Sequence, residues 1–113
     1  MEFCDVIVIG GGASGMMAAG RAAERGLRVL LLEKNRRLGA KLAISGGGRC
    51  NITNAEEDQR ILLPHYGPGE KFLYSSFSEF GVKNTFTFFT AHGLPLVVQG
   101  NKRAFRSEEH TSE

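Results

Sequence analysis

The sequence predicts an α/β chain that opens on a parallel βαβ unit. Three observations carry the prediction: two short apolar runs, an alanine-rich segment between them, and a glycine cluster where the first run meets that segment. Residues 4 to 9 (CDVIVI) are β-branched and almost continuously apolar up to Gly10, which predicts a strand buried on both faces of a parallel sheet. From Ser14 to Arg25 the pattern turns helical. Ala18, Ala19, Ala22 and Ala23 form a narrow face of small residues, with Arg21, Glu24 and Arg25 toward solvent. Gly26 suits the left-handed residue that follows a helix, and Leu27 can supply the apolar contact that accompanies it. Residues 28 to 32 (RVLLL) make the second strand, and a helical crossover between the two strands makes them parallel.

Beyond this unit the elements are shorter. Residues 35 to 54 are rich in Gly, Ser, Asn, Lys and Arg and predict a long loop, with one helical turn around Leu38 to Leu42. Residues 55 to 70 contain Glu56-Glu57-Asp58, Pro64 and Pro68 and predict an exposed connection. Two helices follow, Lys71 to Phe80 and Val82 to His92, separated by Gly81 and ended by Gly93, with Phe72, Phe80, Phe86 and Phe89 as core candidates. Residues 95 to 105 predict a hairpin around a Gly100-Asn101 turn. The expected organisation is therefore residues 1–54 as the N-terminal part of a cofactor-binding domain and 55–105 as a connection, two helices and a hairpin of the same or a second lobe. Residues 106–113 (RSEEHTSE) match the translation of a sequencing-adapter oligonucleotide and are expected to be a non-native tail.

At 113 residues the chain has room for one small domain at most. Hydrophobic residues at 42% and charged residues at 23% are ordinary for a folded domain. The 15 glycines are not, and their clustering at 10–15 and 46–48 points to binding through the backbone. A net charge of +2 without a basic run beyond Arg36-Arg37 implies neither nucleic acid nor membrane as partner. Cys4 and Cys50 fit no zinc spacing, and a cytoplasmic setting is expected. The apolar stretch from Val6 to Ala19 follows Glu2 and Asp5 rather than basic residues, so it does not read as a signal peptide.

The chemistry concentrates in Gly10, Gly12 and Gly15, which give GxGxxG between the first strand and the helix. Gly10 permits the tight turn, Gly12 lets the main chain approach a pyrophosphate, and Gly15 allows the helix to pack closely. The unpaired amides of the first helical turn then bind phosphate without a lysine, and Ser14 can add a hydroxyl. Glu33, at the end of the second strand and 18 residues after Gly15, is placed to accept hydrogen bonds from both ribose hydroxyls and to repel a 2′-phosphate. A second cluster, Lys41 followed by Ser45-Gly46-Gly47-Gly48-Arg49-Cys50-Asn51-Ile52-Thr53-Asn54, reads as a cofactor-facing loop rather than a linker.

The segments DVIVIGGGASGMMAA, LLEKN and GAKLAISGGGRCNITN resemble the bacterial NAD(P)/FAD-dependent oxidoreductases of the BaiN-like or aminoacetone-oxidase family. The resemblance covers residues 4 to about 105 and is strongest over the first 54. It implies a Rossmann-like, glutathione-reductase-like FAD/NAD(P)-binding domain, cut short after its first βαβ unit and the following helices. It also implies a non-covalent FAD contacted by Gly10, Gly12, Ala13, Ser14, Gly15, Glu33, Lys34, Lys41, Ser45, Gly46 and Asn51, with NAD(P)H as a co-substrate and a small organic molecule as substrate. Disulfide reductases of that fold carry a second cysteine five residues after the first; position 55 is Ala, so Cys50 reads as a small loop residue. His65 and His92 are isolated and are not assigned to catalysis. Two alternatives stand beside this reading, an NAD-dependent dehydrogenase using the same motif and a truncated piece without activity.

Overall fold

The computed structural model describes residues 3–45 and 50–106, in two compact units, Met1–Gly48 and Arg49–Glu113. In the first unit, β1 (Val6–Ile9) and β2 (Val29–Leu32) pair in parallel, Val6 opposite Val29 through Ile9 opposite Leu32, and α1 (Ala13–Glu24) crosses between them. The predicted βαβ unit is therefore present.

The period-2 alternation of a strand sends Val6 and Val8 of β1, and Val29 and Leu31 of β2, toward α1, where they are half-buried. Ile7, Ile9, Leu30 and Leu32 point the other way and are exposed, Ile9 to 84%. The expectation of strands buried on both faces thus fails within this chain, because one helix covers one face of a two-stranded sheet. The packing face of α1 also differs from the expected one. Gly15, Met16, Ala19 and Ala22 are its half-buried residues, while Ala18 and Ala23 are exposed. After the helix, Gly26 takes a left-handed φ of 84°; its amide donates to Ala23 and that of Leu27 to Ala22, the paired bonds of a Schellman stop. A five-residue helix, α2 (Ala40–Ile44), closes the described part of this unit, displaced toward the C-terminus from the turn expected at Leu38 to Leu42.

The second unit is built on an antiparallel sheet in the order β3 (Asn51–Asn54), β5 (Arg103–Arg106), β4 (Leu96–Gln99). β4 and β5 form the predicted hairpin, joined by a 3-10 turn at Gly100–Lys102. Residues 51–54, expected as part of a loop, instead form the edge strand β3, pairing with β5 across an irregularity between Asn51 and Thr53. This pairing spans about fifty residues, so no local pattern announces it.

The stretch expected as an exposed connection carries α3 (Gln59–Leu62) and a 3-10 segment (Leu63–Gly69), and Leu62 and Leu63 are among the most buried side chains, Leu63 at 0% exposure. Asp58 starts α3 by accepting the Arg60 amide at 2.9 Å. α4 (Glu70–Glu79) and α5 (Val82–Ala91) match the two predicted helices within one residue at each end. Asn84 accepts the Gly81 amide at 2.9 Å and fixes the start of α5. Among the described residues the buried apolar side chains are Leu62, Leu63, Val82, Ala104 and Phe105. Of the expected core phenylalanines, Phe86 and Phe89 are half-buried, whereas Phe72 and Phe80 are exposed; the most buried side chains, Leu63 and Phe105, come instead from the 3-10 segment and β5.

Arg106, where the polar tail was expected to begin, ends β5 opposite Leu96; residues 107–113 lie outside the described residues. Among the described residues no helix is long and apolar enough to cross a membrane.

Candidate functional site

The glycine turn grows directly out of the parallel sheet. The Gly10 amide donates to the Leu32 carbonyl at 2.8 Å, continuing the strand pairing into the turn, and Gly10 itself adopts φ 103°. A side chain at Gly15 would collide with the Gly10 carbonyl oxygen and meet Val8 Cγ1 at 3.5 Å. Glycine at this position is what allows the helix to start so close to the strand. Gly12 is the N-cap in extended conformation, no side chain caps the helix, and the Met16 amide makes the first helical bond to the Gly12 carbonyl at 2.9 Å. The amides of the first turn, including those of Ala13, Ser14 and Gly15, have no acceptor within the helix. A Cβ placed on Gly10 or Gly12 would meet nothing within 4 Å, so the turn is open to an approaching group.

Glu33 reaches back to this turn. Its Oε1 accepts the Gly11 amide at 2.7 Å and its Oε2 accepts the Asn35 amide at 2.8 Å. The Asn35 amide, then the Gly11 amide, hold the carboxyl below the usual carboxylate range, with Lys34 adding a smaller push in the same direction and partial burial opposing it. The group is therefore ionised at neutral pH. Each oxygen, having accepted one bond, keeps capacity for another donor.

The remaining described residues expected at the site lie on other segments. Lys34 follows Glu33 and is exposed; Lys41 is exposed on α2. Ser45, at the end of α2, donates its hydroxyl to the Leu42 carbonyl at 2.8 Å. Gly46 lies outside the described residues, and Asn51 lies on β3 in the second unit. Cys50 precedes that strand in a left-handed conformation, φ 64°. His92 ends α5 with its Nδ1 2.7 Å from the Phe88 carbonyl and its ring 4.2 Å from that of Phe88.

Two glycines were missed by the motif. Gly11 occupies a position that GxGxxG leaves open, yet it is buried and supplies the amide that Glu33 binds. Gly39 is buried as well; its amide donates to the Gly11 carbonyl at 2.7 Å, and it holds φ 64° at the N-cap of α2. The available signals were the run of three glycines at 10–12 and the Leu-Gly-Ala step at 38–40.

The family profile described as the HI0933-like protein Rossmann domain matches residues 4–113. The chain belongs to this family. Among curated proteins it is 50% identical over 69 residues to a ribosomal RNA dihydrouridine synthase of Escherichia coli (strain K12), covering 58% of this chain and 17% of that protein. It is 35% identical over 107 residues to a 3-dehydro-bile acid delta(4,6)-reductase of Clostridium scindens, covering 93% of this chain and 25% of that one. A digeranylgeranylglycerophospholipid reductase of Thermoplasma volcanium is 38% identical over 80 residues, 63% of this chain and 20% of that protein. The chain thus spans a quarter or less of the length of these relatives. Their names carry different activities, so membership is established for the HI0933-like Rossmann domain and is broader than the BaiN-like or aminoacetone-oxidase group that the sequence resembles.

Proposed function

We propose that this chain is the dinucleotide-binding part of a flavoprotein oxidoreductase, and that Gly10, Gly12, Ala13, Ser14, Gly15 and Glu33 hold the ADP half of a non-covalent FAD. The observation that carries this reading is the bond between Gly11 and Glu33, which makes the strand-end carboxylate and the glycine turn one assembly in front of an uncapped helix. Open space beside Gly10 and Gly12 fits a diphosphate approaching the backbone. The first-turn amides, at the positive end of the helix dipole, neutralise its charge. Glu33, ionised and anchored, accepts the ribose hydroxyls and disfavours a 2′-phosphate.

Bound FAD supplies the isoalloxazine that exchanges a hydride or electrons with the substrate. The protein's part is to bind and orient its nucleotide end. Lys34, Lys41, Ser45, Gly46 and Asn51 are further proposed contacts, resting on the family resemblance. The proposed reaction passes electrons between NAD(P)H or another reduced donor and a small organic acceptor, in the cytoplasm. The names of two relatives, both reductases, support the reaction class. The Escherichia coli relative, named for ribosomal RNA, makes RNA the competing acceptor to include in any assay, although a net charge of +2 without a basic run favours a small molecule.

Titration of the purified full chain with FAD, ADP and NAD, followed by calorimetry, tests the reading. FAD and ADP should bind, and FAD should leave the protein yellow. Binding of NAD without FAD would move the assignment to an NAD-dependent dehydrogenase, and binding of none of the three would overturn it.

A further inference from the structure

The segment after Glu33 returns to the glycine turn, and the contact it makes there has consequences for the donors of the site. Gly11 is gripped at both of its peptide groups: its N–H donates to Glu33 Oε1 at 2.7 Å, and its carbonyl accepts from the Gly39 N–H at 2.7 Å. A trans peptide is planar, with its C=O and N–H pointing in opposite directions. The bond that draws the Gly11 oxygen to Gly39 therefore turns the next N–H, that of Gly12, away from Gly39. The second bond fixes the peptide that presents the Gly11 N–H to the carboxylate. With both neighbouring peptides held, the backbone angles of Gly11 have no freedom left.

Gly39 is itself closely constrained. It is buried, it sits in the left-handed region at φ 64°, and a Cβ there would come within 2.9 Å of Met16 Cε on α1. Its φ is disfavoured for any residue with a side chain, Asn least so. Met16 Cε is the free end of a flexible side chain and can yield, so the left-handed angle is the stronger constraint at Gly39.

We infer that Gly39 is a positioning residue for the nucleotide site, acting through the Gly11 peptide groups to aim the Gly12 N–H and to keep the Glu33 carboxylate against the glycine turn. The inference deepens the proposed function and rests on the glycine turn being a dinucleotide site.

The test uses the full chain, with ADP as the probe, in wild type, Gly39→Ala, Gly39→Asn and Gly39→Asn combined with Met16→Ala. ADP affinity is read by calorimetry, the Glu33 carboxyl is titrated by carbon-detected NMR, and thermal stability is recorded in parallel. Gly39→Ala should weaken ADP binding by about tenfold, the size of one lost charge-assisted hydrogen bond. It should also raise the Glu33 pKa toward the usual carboxylate value, since the Gly11 amide no longer favours the charged form. Gly39→Asn with Met16→Ala tolerates the left-handed angle and removes the clash, so it should lie closer to wild type in both readouts; it also serves if Gly39→Ala does not fold. A loss of thermal stability in every folded variant, with ADP affinity and the Glu33 titration unchanged, would overturn the positioning role and leave the nucleotide site standing. Failure of the wild type to bind ADP would overturn the nucleotide reading and the inference with it.

Discussion

The two units of this chain bury different things. In Met1–Gly48 the buried described residues are Gly11 and Gly39, both at the glycine turn, while Ile7, Ile9, Leu30 and Leu32 stay exposed. In Arg49–Glu113 the buried described residues are Gly81 and the apolar Leu62, Leu63, Val82, Ala104 and Phe105. In the first unit, then, burial falls on glycine backbone, the peptide N–H and C=O groups on which the proposed nucleotide site rests. The second is organised around side-chain packing. A site made from main chain needs close approach and therefore glycine, whereas a core needs volume.

The contrast can be broken most directly at Leu63. Replacing it by Ala should destabilise the second unit by about 2–5 kcal/mol, measured by urea unfolding, because the side chain is wholly buried. Ile9→Ala in the first unit should cost a small fraction of that, since Ile9 is 84% exposed. Equal effects at the two positions would mean that the exposed face of β1 is covered in solution.

Gly15→Ala comes next. Its methyl group has no room beside the Gly10 carbonyl, and overpacking of this kind typically costs about 1–3 kcal/mol. ADP binding should fall with it, while the second unit keeps its stability. Gly26→Ala, which strains a left-handed helix stop far from the turn, should cost about 1 kcal/mol of stability and leave ADP affinity unchanged. If both variants lost affinity alike, the turn would not be the binding surface.

Glu33 sharpens the comparison by charge. Glu33→Gln keeps the shape and removes the ionised acceptor, so ADP should bind about tenfold more weakly. The same change should narrow the preference for ADP over its 2′-phosphorylated form. The pH dependence has a defined sign. Because amide donors lower the folded-state pKa of Glu33, its stabilising contribution is present above the ordinary carboxylate value and is lost as pH falls through the folded value. Melting curves of wild type and Glu33→Gln should accordingly converge in acid, and a gap that widened there would contradict the amide anchoring. This is the smallest of the expected effects.

The legible parts of the sequence were those with a local cause. Val6 to Ile9 and Val29 to Leu32 are continuous apolar runs, Gly26 punctuates a helix, and Leu96 to Arg106 folds back within eleven residues. The tight turn at Gly10, the helix start after Gly12 and the close packing at Gly15 were readable for the same reason, since their spacing repeats a known backbone geometry. The strand at Asn51 to Asn54 was not readable, because its polar residues form a strand by pairing with β5 rather than by any pattern of their own. Leu62 and Leu63 were hidden among charges and prolines, and nothing in that composition shows that a helix and a 3-10 segment meet there to bury them.

By itself, then, the order of residues determined the βαβ unit, the helix stops and the identity of the glycine turn, since each depends on interactions between near neighbours or on a short crossover. Tertiary structure alone decided that Gly11 stands between Glu33 and Gly39, and that Leu63 and Phe105 are the most deeply buried large side chains of the second unit. Those outcomes depend on which distant peptide groups and side chains come into register. A single hydrogen bond such as that from Gly39 to Gly11 leaves no periodic trace in the residues that form it.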